Sequence, residues 1–269
     1  MGIIFRTVFV LLFILAVRPQ QALAQENPFR TKIQTPSDSD YLPDSELPAG
    51  LCRILFHHGN YNPASGQWEA VCSGVLVDKR RILTAAHCIK SLEGDKDMSA
   101  YVICAPGAFA WGQDAKGRLK HPDYAADPPS HDIAMLEVPD AFNVPSLPLA
   151  QSAAEIDELL KTPERCALFG AGLDNWNRTG VLHGARLRLI NSRPLREKYG
   201  PYFIASNPNH AATGDSGGPV LCKDAAGGWR QIATHVLLIP EWKVSMHERI
   251  DHHLSWIDAT RKLPGLPRD

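Results

Sequence analysis

Gly214-Asp215-Ser216-Gly217-Gly218-Pro219-Val220-Leu221-Cys222 sets a serine in a glycine-rich turn that runs straight into a short apolar strand. Glycines on both sides let the backbone bend sharply and lie close against a partner. They also let successive N–H groups face one point, as stabilising an oxyanion requires. A lone serine between glycines is usually only a turn, so the rest of the chain decides the reading. Upstream, His87 lies in Thr84-Ala85-Ala86-His87-Cys88, beside a cysteine that a cross-link can anchor. Asp132 lies in His131-Asp132-Ile133-Ala134-Met135-Leu136, at the head of an apolar run. A buried acid in that setting can orient an imidazole and stabilise its protonated form.

From Leu51 the chain consists of short apolar stretches separated by turn residues, at 74–77, 81–85, 100–104, 133–138, 166–169, 185–190, 202–205 and 219–222. Strands at this density imply an all-β sandwich or barrel rather than alternating βα units. Residues 140–164, rich in Pro and Ala, read as a linker between two halves. Near the end, Ile250, Leu254 and Ile257 recur at helical spacing, with Arg261 and Lys262 in the last turn and Pro264 as the stop. That pattern predicts one helix packed on a barrel.

Arg6, the apolar run 8–17 and Ala22-Leu23-Ala24 have the layout of a secretory signal peptide over residues 1–24, cleaved after Ala24. The run is too short to span a bilayer, so no permanent membrane anchor is expected. Residues 25–50, rich in Pro, Ser, Asp and Glu, read as a propeptide or N-terminal arm. Cysteines 52, 72, 88, 104, 166 and 222 form an even set, which in an exported protein suggests three disulfides, with every pairing open. No C-x-x-C pair is present to suggest a zinc ribbon. With 28 basic and 29 acidic residues, the net charge of −1 gives no electrostatic reason to expect nucleic acid or acidic lipid as a partner.

TAAHC, DIAML and GDSGGPV together resemble the three signature segments of the trypsin/chymotrypsin-like serine protease family, in the family's order His, Asp, Ser. The resemblance extends to His121-Pro122-Asp123-Tyr124, to 144–149, to 166–172 with Ala171 where tryptophan is usual, and to Arg249-Ile250 and Trp256-Ile257. It covers about residues 51–258. It implies two six-stranded antiparallel β-barrels with a C-terminal helix. The first, 51–145, would carry His87 and Asp132; the second, 146–269, would carry Ser216 and the helix. The function implied is that of a secreted or periplasmic monomeric serine endopeptidase with no metal or organic cofactor. Ser216 would attack peptide or protein substrates through an acyl-enzyme, with backbone N–H groups of Gly214 and Ser216 as the oxyanion hole. The same resemblance implies Cys72–Cys88 and Cys166–Cys222 bridges and leaves Cys52–Cys104.

Specificity stays open. The residue six before the nucleophile, at the base of the primary pocket in this family, is His210, and His235 falls on another wall. Acidic, small or apolar, and basic side chains are each compatible with the sequence. Asp215 would pair either with an N-terminal amine freed at Ile33, after Lys32, or with an internal partner. The alternative function is a non-enzymatic protease-fold binding protein, favoured by the lack of an Ile-Val-Gly-Gly-like start and by Ala212 where the family has cysteine. Two other classes fail. An α/β-hydrolase needs an acid and a histidine after the serine on a parallel sheet. In His247-Glu248, the next histidine, His252, is five residues on rather than the four of a zinc protease helix. Asn177-Arg178-Thr179 is a glycosylation sequon.

Overall fold

In a computed structural model, which describes residues 40–59, 68–90, 92–93, 95, 97–104, 112–127, 129–176, 178–190, 193–200, 203–206, 211–239 and 244–267, the apolar stretches pair into two curled antiparallel sheets. Residues 1–24, read from sequence as a signal peptide, the Lys32-Ile33 step, Asn177 and His210 lie outside the described residues. The first sheet contains β1 (Leu51–His58), β2 (Ala70–Leu76), β3 (Arg81–Thr84), β4 (Met98–Cys104), β5 (Gln113–Asp114) and β6 (Gly117–Lys120). A small hairpin of β7 (Ala125–Ala126) and β8 (Pro129–Ser130) precedes its last strand, β9 (Ala134–Glu137). The order is β5-β4-β1-β2-β3-β9-β6. The second sheet contains β10 (Cys166–Gly170), β11 (His183–Arg186), β12 (Leu189–Ile190), β13 (Phe203–Ser206), β14 (Pro219–Lys223), β15 (Trp229–Ile239) and β16 (Val244–Arg249). Its order is β11-β10-β14-β15-β16-β13-β12.

The two-barrel fold expected from the resemblance is therefore present as two half-barrels, each with seven strand segments rather than six. The extra segments are two-residue edge pieces, β5 and β12. The stretch 185–190, expected as one strand, divides after Arg186. Its first part pairs with β10 and its second with β13, at opposite edges of the sheet. Residues 140–164 hold more than a linker, because α2 (Ala153–Leu159) forms inside them. Ser152 caps it by accepting from the Glu155 N–H at 3.2 Å, and the Glu155 carboxylate accepts from the Gln151 N–H at 2.8 Å. The first bond satisfies an N–H that the first helical turn leaves unpaired, and the second ties the residue before the cap to that turn.

Two of the three disulfides join residues directly opposite in register, Cys52–Cys104 across β1 and β4 and Cys166–Cys222 across β10 and β14. The third, Cys72–Cys88, ties β2 to α1 (Ala86–Lys90). These are the pairings that the family resemblance implied. One apolar cluster spans both halves: Leu55, Val75 and Leu83 of the first sheet, Phe169, Val220 and Ile232 of the second, and Ile250 and Ile257 at the end of the chain. After α3 (Arg193–Tyr199), which precedes β13, the expected C-terminal helix is a 3-10 turn, Ile250–His253, leading into α4 (Leu254–Arg261). No described helix is long and apolar enough to cross a membrane.

Each end of the described chain docks on the other half. Residues 40–50 do not hang loose: Tyr41 bridges to Ala185, the Leu42 N–H donates to the Gly184 carbonyl at 2.8 Å, and Leu42 is buried. After α4 the chain returns to the first sheet. The Arg81 guanidinium donates to the Arg261 and Leu263 carbonyls, and the Leu266 N–H donates to the fully buried Glu137 carboxylate at 2.6 Å. The Arg118 N–H then donates to the Pro267 carbonyl at 2.9 Å.

Candidate active site

α1 starts directly after β3, so its first turn, with His87, stands at the end of an interior strand of the first sheet. The segment leading into β9 brings Asp132 against it. Asp132 Oδ1 accepts from the His87 N–H at 2.8 Å, and Oδ2 lies 2.6 Å from His87 Nδ1. The acid is buried while about a third of the imidazole stays open. This geometry fixes the proton on Nδ1 and leaves Nε2 as the imidazole's basic nitrogen. The loop before Asp132 is itself unusual, with His131 at φ 51. A left-handed non-glycine residue is worth examining, and here the far half supports it. The Asp132 N–H donates to Glu248 Oε2 at 2.7 Å, and Glu248 Oε1 lies 2.9 Å from His253 Nε2. Sequence reading missed Glu248 because the contact crosses 116 residues of chain and leaves no local pattern.

Ser216 reaches the same place from the second sheet. Its carbonyl accepts from the Ser73 N–H at 2.7 Å and lies 3.6 Å from Cys88 Sγ, the neighbour of His87. The turn is held on both sides. Gly217 N–H donates to the His235 carbonyl and His235 N–H to the Gly218 carbonyl, each at 2.8 Å. Ser73, with a hydroxyl the motifs did not single out, does more than pair strands. Its Oγ donates to the Gly214 carbonyl at 2.8 Å and accepts from the Ala171 N–H at 2.8 Å. Among the described residues, the N–H groups of Gly214 and Ser216 donate to no protein acceptor, which leaves both for a bound oxygen.

Ser73→Ala is expected to leave the Gly214 carbonyl and the Ala171 N–H unpaired in a dry interface. Each unmet buried group costs about 1–3 kcal/mol, so for the two groups a loss of about 2–6 kcal/mol is expected in urea unfolding. An unchanged midpoint would show that the hydroxyl bonds contribute nothing.

His235, assigned to the pocket from sequence, is buried on β15 with its ring 5.2 Å from that of His247 on β16. Burial holds His235 well below the ordinary imidazole range, with further lowering by His247 and His87, and burial alone takes His247 to about 3. His247 Nε2 meets Ser206 Oγ at 2.8 Å, and Ser245 Oγ accepts from the Ala211 N–H at 2.7 Å. These neutral rings have a consequence for stability. The unfolded chain protonates them below about pH 6.5, whereas folded His247 stays neutral down to about 3. In that window the unfolded state binds more protons, so stability rises with pH and is lost on acidification. The expected slope is up to about 1.4 kcal/mol per pH unit for each ring. Unfolding midpoints from pH 7 to 4 should fall less steeply in His247→Gln; identical slopes would assign the acid sensitivity elsewhere.

Behind Asp132, the rings of His121 and His131 stack at 4.8 Å, with His253 edge-on to both. His121, Asp123 and His131 are the one group of three metal-donor side chains among the described residues, with donor atoms within 4.8 Å of one another. Asp123 is largely exposed, and its N–H donates to His121 Nδ1 at 3.2 Å. Asp215, next to Ser216, is fully buried, and its carboxylate accepts from the Gly172 and Ala212 N–H groups.

Comparison with known proteins places this geometry. The sequence profile of the trypsin family matches residues 58–235. The chain is 23% identical to human kallikrein-4 over 203 residues, covering 65% of this chain and 75% of the relative. It is 28% identical to chymase of Cavia porcellus over 225 residues, covering 74% and 82%. Among solved structures, the VesB protease of Vibrio cholerae superposes with a TM-score of 0.61 at 17% identity, covering 82% of this chain and 66% of that one.

Proposed function

The chain belongs to the trypsin family of serine proteases, and from that premise we propose that it is an exported endopeptidase cutting peptide bonds with Ser216, His87 and Asp132. The observation that carries this reading is the doubly bonded His87–Asp132 pair, set beside a turn whose Gly214 and Ser216 N–H groups have no protein acceptor among the described residues. Ser216 Oγ attacks the scissile carbonyl as His87 Nε2 takes its proton. The carbonyl oxygen, now negative, receives the Gly214 and Ser216 N–H groups. His87 then protonates the leaving amine, and water repeats the sequence to release the acyl group. Asp132 stays ionised and stabilises the imidazolium. Three disulfides support export to an oxidising compartment.

For specificity, the neutral state of His235 and His247 argues against imidazolium recognition of an acidic side chain, and a small or apolar residue before the cut is the preference proposed. The test uses the mature protein, a serine-directed phosphonate and a diverse peptide library. Covalent labelling of Ser216 with cleavage clustered after small or apolar residues is the expected result. Absence of both labelling and cleavage would favour the binding-protein alternative. Efficient cleavage after Glu, Arg or Lys would overturn the specificity alone.

A further inference from the structure

The aim of Asp132 at His87 depends on the backbone of the turn that carries the acid. The Ile133 N–H donates to the His131 carbonyl at 2.8 Å, which closes a three-residue turn with Asp132 at its centre. His131, at φ 51, lies in the left-handed region that non-glycine residues rarely adopt. The bond that closes the turn does not use the Asp132 N–H, and a buried backbone donor needs a partner. That partner comes from the second sheet, where Glu248 Oε2 accepts it at 2.7 Å.

Glu248 is held firmly enough to act as a fixed point. It is buried on β16, with a strand on either side, opposite Phe203 of β13 and Thr234 of β15. Its other oxygen, Oε1, lies 2.9 Å from Nε2 of His253, itself buried in the 3-10 turn before α4. A carboxylate offers only acceptors, so one N–H on each oxygen fixes both its place and its rotation. The His253 ring in turn stands edge-on to His121 and His131, with ring centres 5.3 and 5.5 Å away. The circuit from Asp132 through Glu248 and His253 thus closes on the residue beside Asp132.

We propose that Glu248 is a positioning residue for the catalytic pair: it takes the Asp132 N–H on one oxygen while His253 holds the other, and so fixes the turn in the orientation from which Asp132 meets His87 through both carboxylate oxygens. Those two bonds, at 2.8 and 2.6 Å, leave little room for the turn to rotate. The half that carries Ser216 therefore also sets the aim of the acid in the other half. The inference rests on the proteolytic reading.

The test compares the parent with Glu248→Asp and Glu248→Gln. The first keeps the charge but is one methylene too short to reach both partners. The second keeps the length: its carbonyl accepts from Asp132, and its NH₂ meets His253 Nε2 once that ring carries its proton on Nδ1. Peptide hydrolysis is measured per phosphonate-titrated site, with the low-field proton resonance of His87 Nδ1–H and urea unfolding alongside. For Glu248→Asp the expected result is a kcat lower by up to about hundredfold, with KM nearly unchanged and the His87 resonance displaced. Glu248→Gln should keep most of the parent's kcat and its resonance. A merely structural role would lower the urea midpoints and leave kcat per site and the resonance where they are, which overturns the proposal. So does a Glu248→Gln variant no better than Glu248→Asp, since charge rather than placement would then matter. Should neither variant fold, hydrogen exchange in the parent decides: the Asp132 amide must exchange as slowly as those of β16, and a readily exchanging amide overturns the assignment. A parent that the phosphonate does not label overturns the proteolytic reading itself. A labelled parent with a fully active Glu248→Asp variant overturns only the inference.

Discussion

Ser216→Ala is expected to lower kcat by about 10⁶-fold, and Asp132→Asn by about 10⁴-fold, with both variants folded. The first effect follows from removing the only group the mechanism lets attack. The second follows from the two bonds Asp132 makes to His87. Asp132 Oδ1 serves the backbone N–H, and Oδ2 serves Nδ1. An asparagine oxygen can still accept from the backbone, which turns its NH₂ group toward Nδ1. The ring then prefers its proton on Nε2, and Ser216 loses its base. Steady-state kinetics on one good peptide substrate, with thermal unfolding as the control for folding, checks both. If Ser216→Ala were still labelled by the phosphonate, or Asp132→Asn kept full activity, the triad assignment would be wrong.

Gly217→Ala should be nearly as damaging, through the fold rather than the chemistry. Gly217 has φ +81, where an L side chain is strained by about 1–2 kcal/mol. An added Cβ would also stand 2.1 Å from Thr84 Oγ1, 2.4 Å from the Ser73 carbonyl oxygen and 2.8 Å from the Ala85 nitrogen. Two of these are backbone atoms at the seam between the sheets, and none is the end of a flexible side chain. A total loss of about 4 kcal/mol or more is expected, with the turn displaced and activity lost with it. Gly227→Ala is the internal control. Its φ is +86, but its Cβ would meet nothing within 4 Å, so it should cost only the backbone strain. Urea midpoints of the two variants separate the terms; equal losses would show that the packing around Gly217 is far looser than its distances indicate.

The sequence made the all-β class readable because strand-length apolar runs and the three motifs point the same way. It also made the cysteine pairing readable, but only through the resemblance, since spacing alone leaves every pairing open. What it could not show are contacts made by ordinary residues across long separations. Ser73 looks like one polar residue in an apolar strand, yet it bonds both Gly214 and Ala171. Glu248 follows a histidine that invites a metal reading, yet its carboxylate serves Asp132 and His253. The helix α2 was hidden by its setting, because a Pro- and Ala-rich stretch reads as linker unless the Ser152 cap and the buried Ile156 and Leu159 are weighed. His210 lies outside the described residues, so its part in specificity rests with the cleavage profile.

The crossed docking of the chain ends gives the protein an unexpected mechanics. All three disulfides close within one half or the other, so the only covalent tether between the sheets is the run of chain after β9. The halves are nonetheless interlocked, with Tyr41 and Leu42 gripping the second sheet and residues 261–267 gripping the first. A nick in that tether need not let the pieces drift apart. Two separately made fragments, each with its own cross-links, carry the straps needed to find and clasp one another, which makes the molecule a natural subject for split-protein reassembly. Trimming a terminus, by contrast, weakens the opposite lobe: shortening the tail uncovers Glu137 and Arg81 in the half that carries His87.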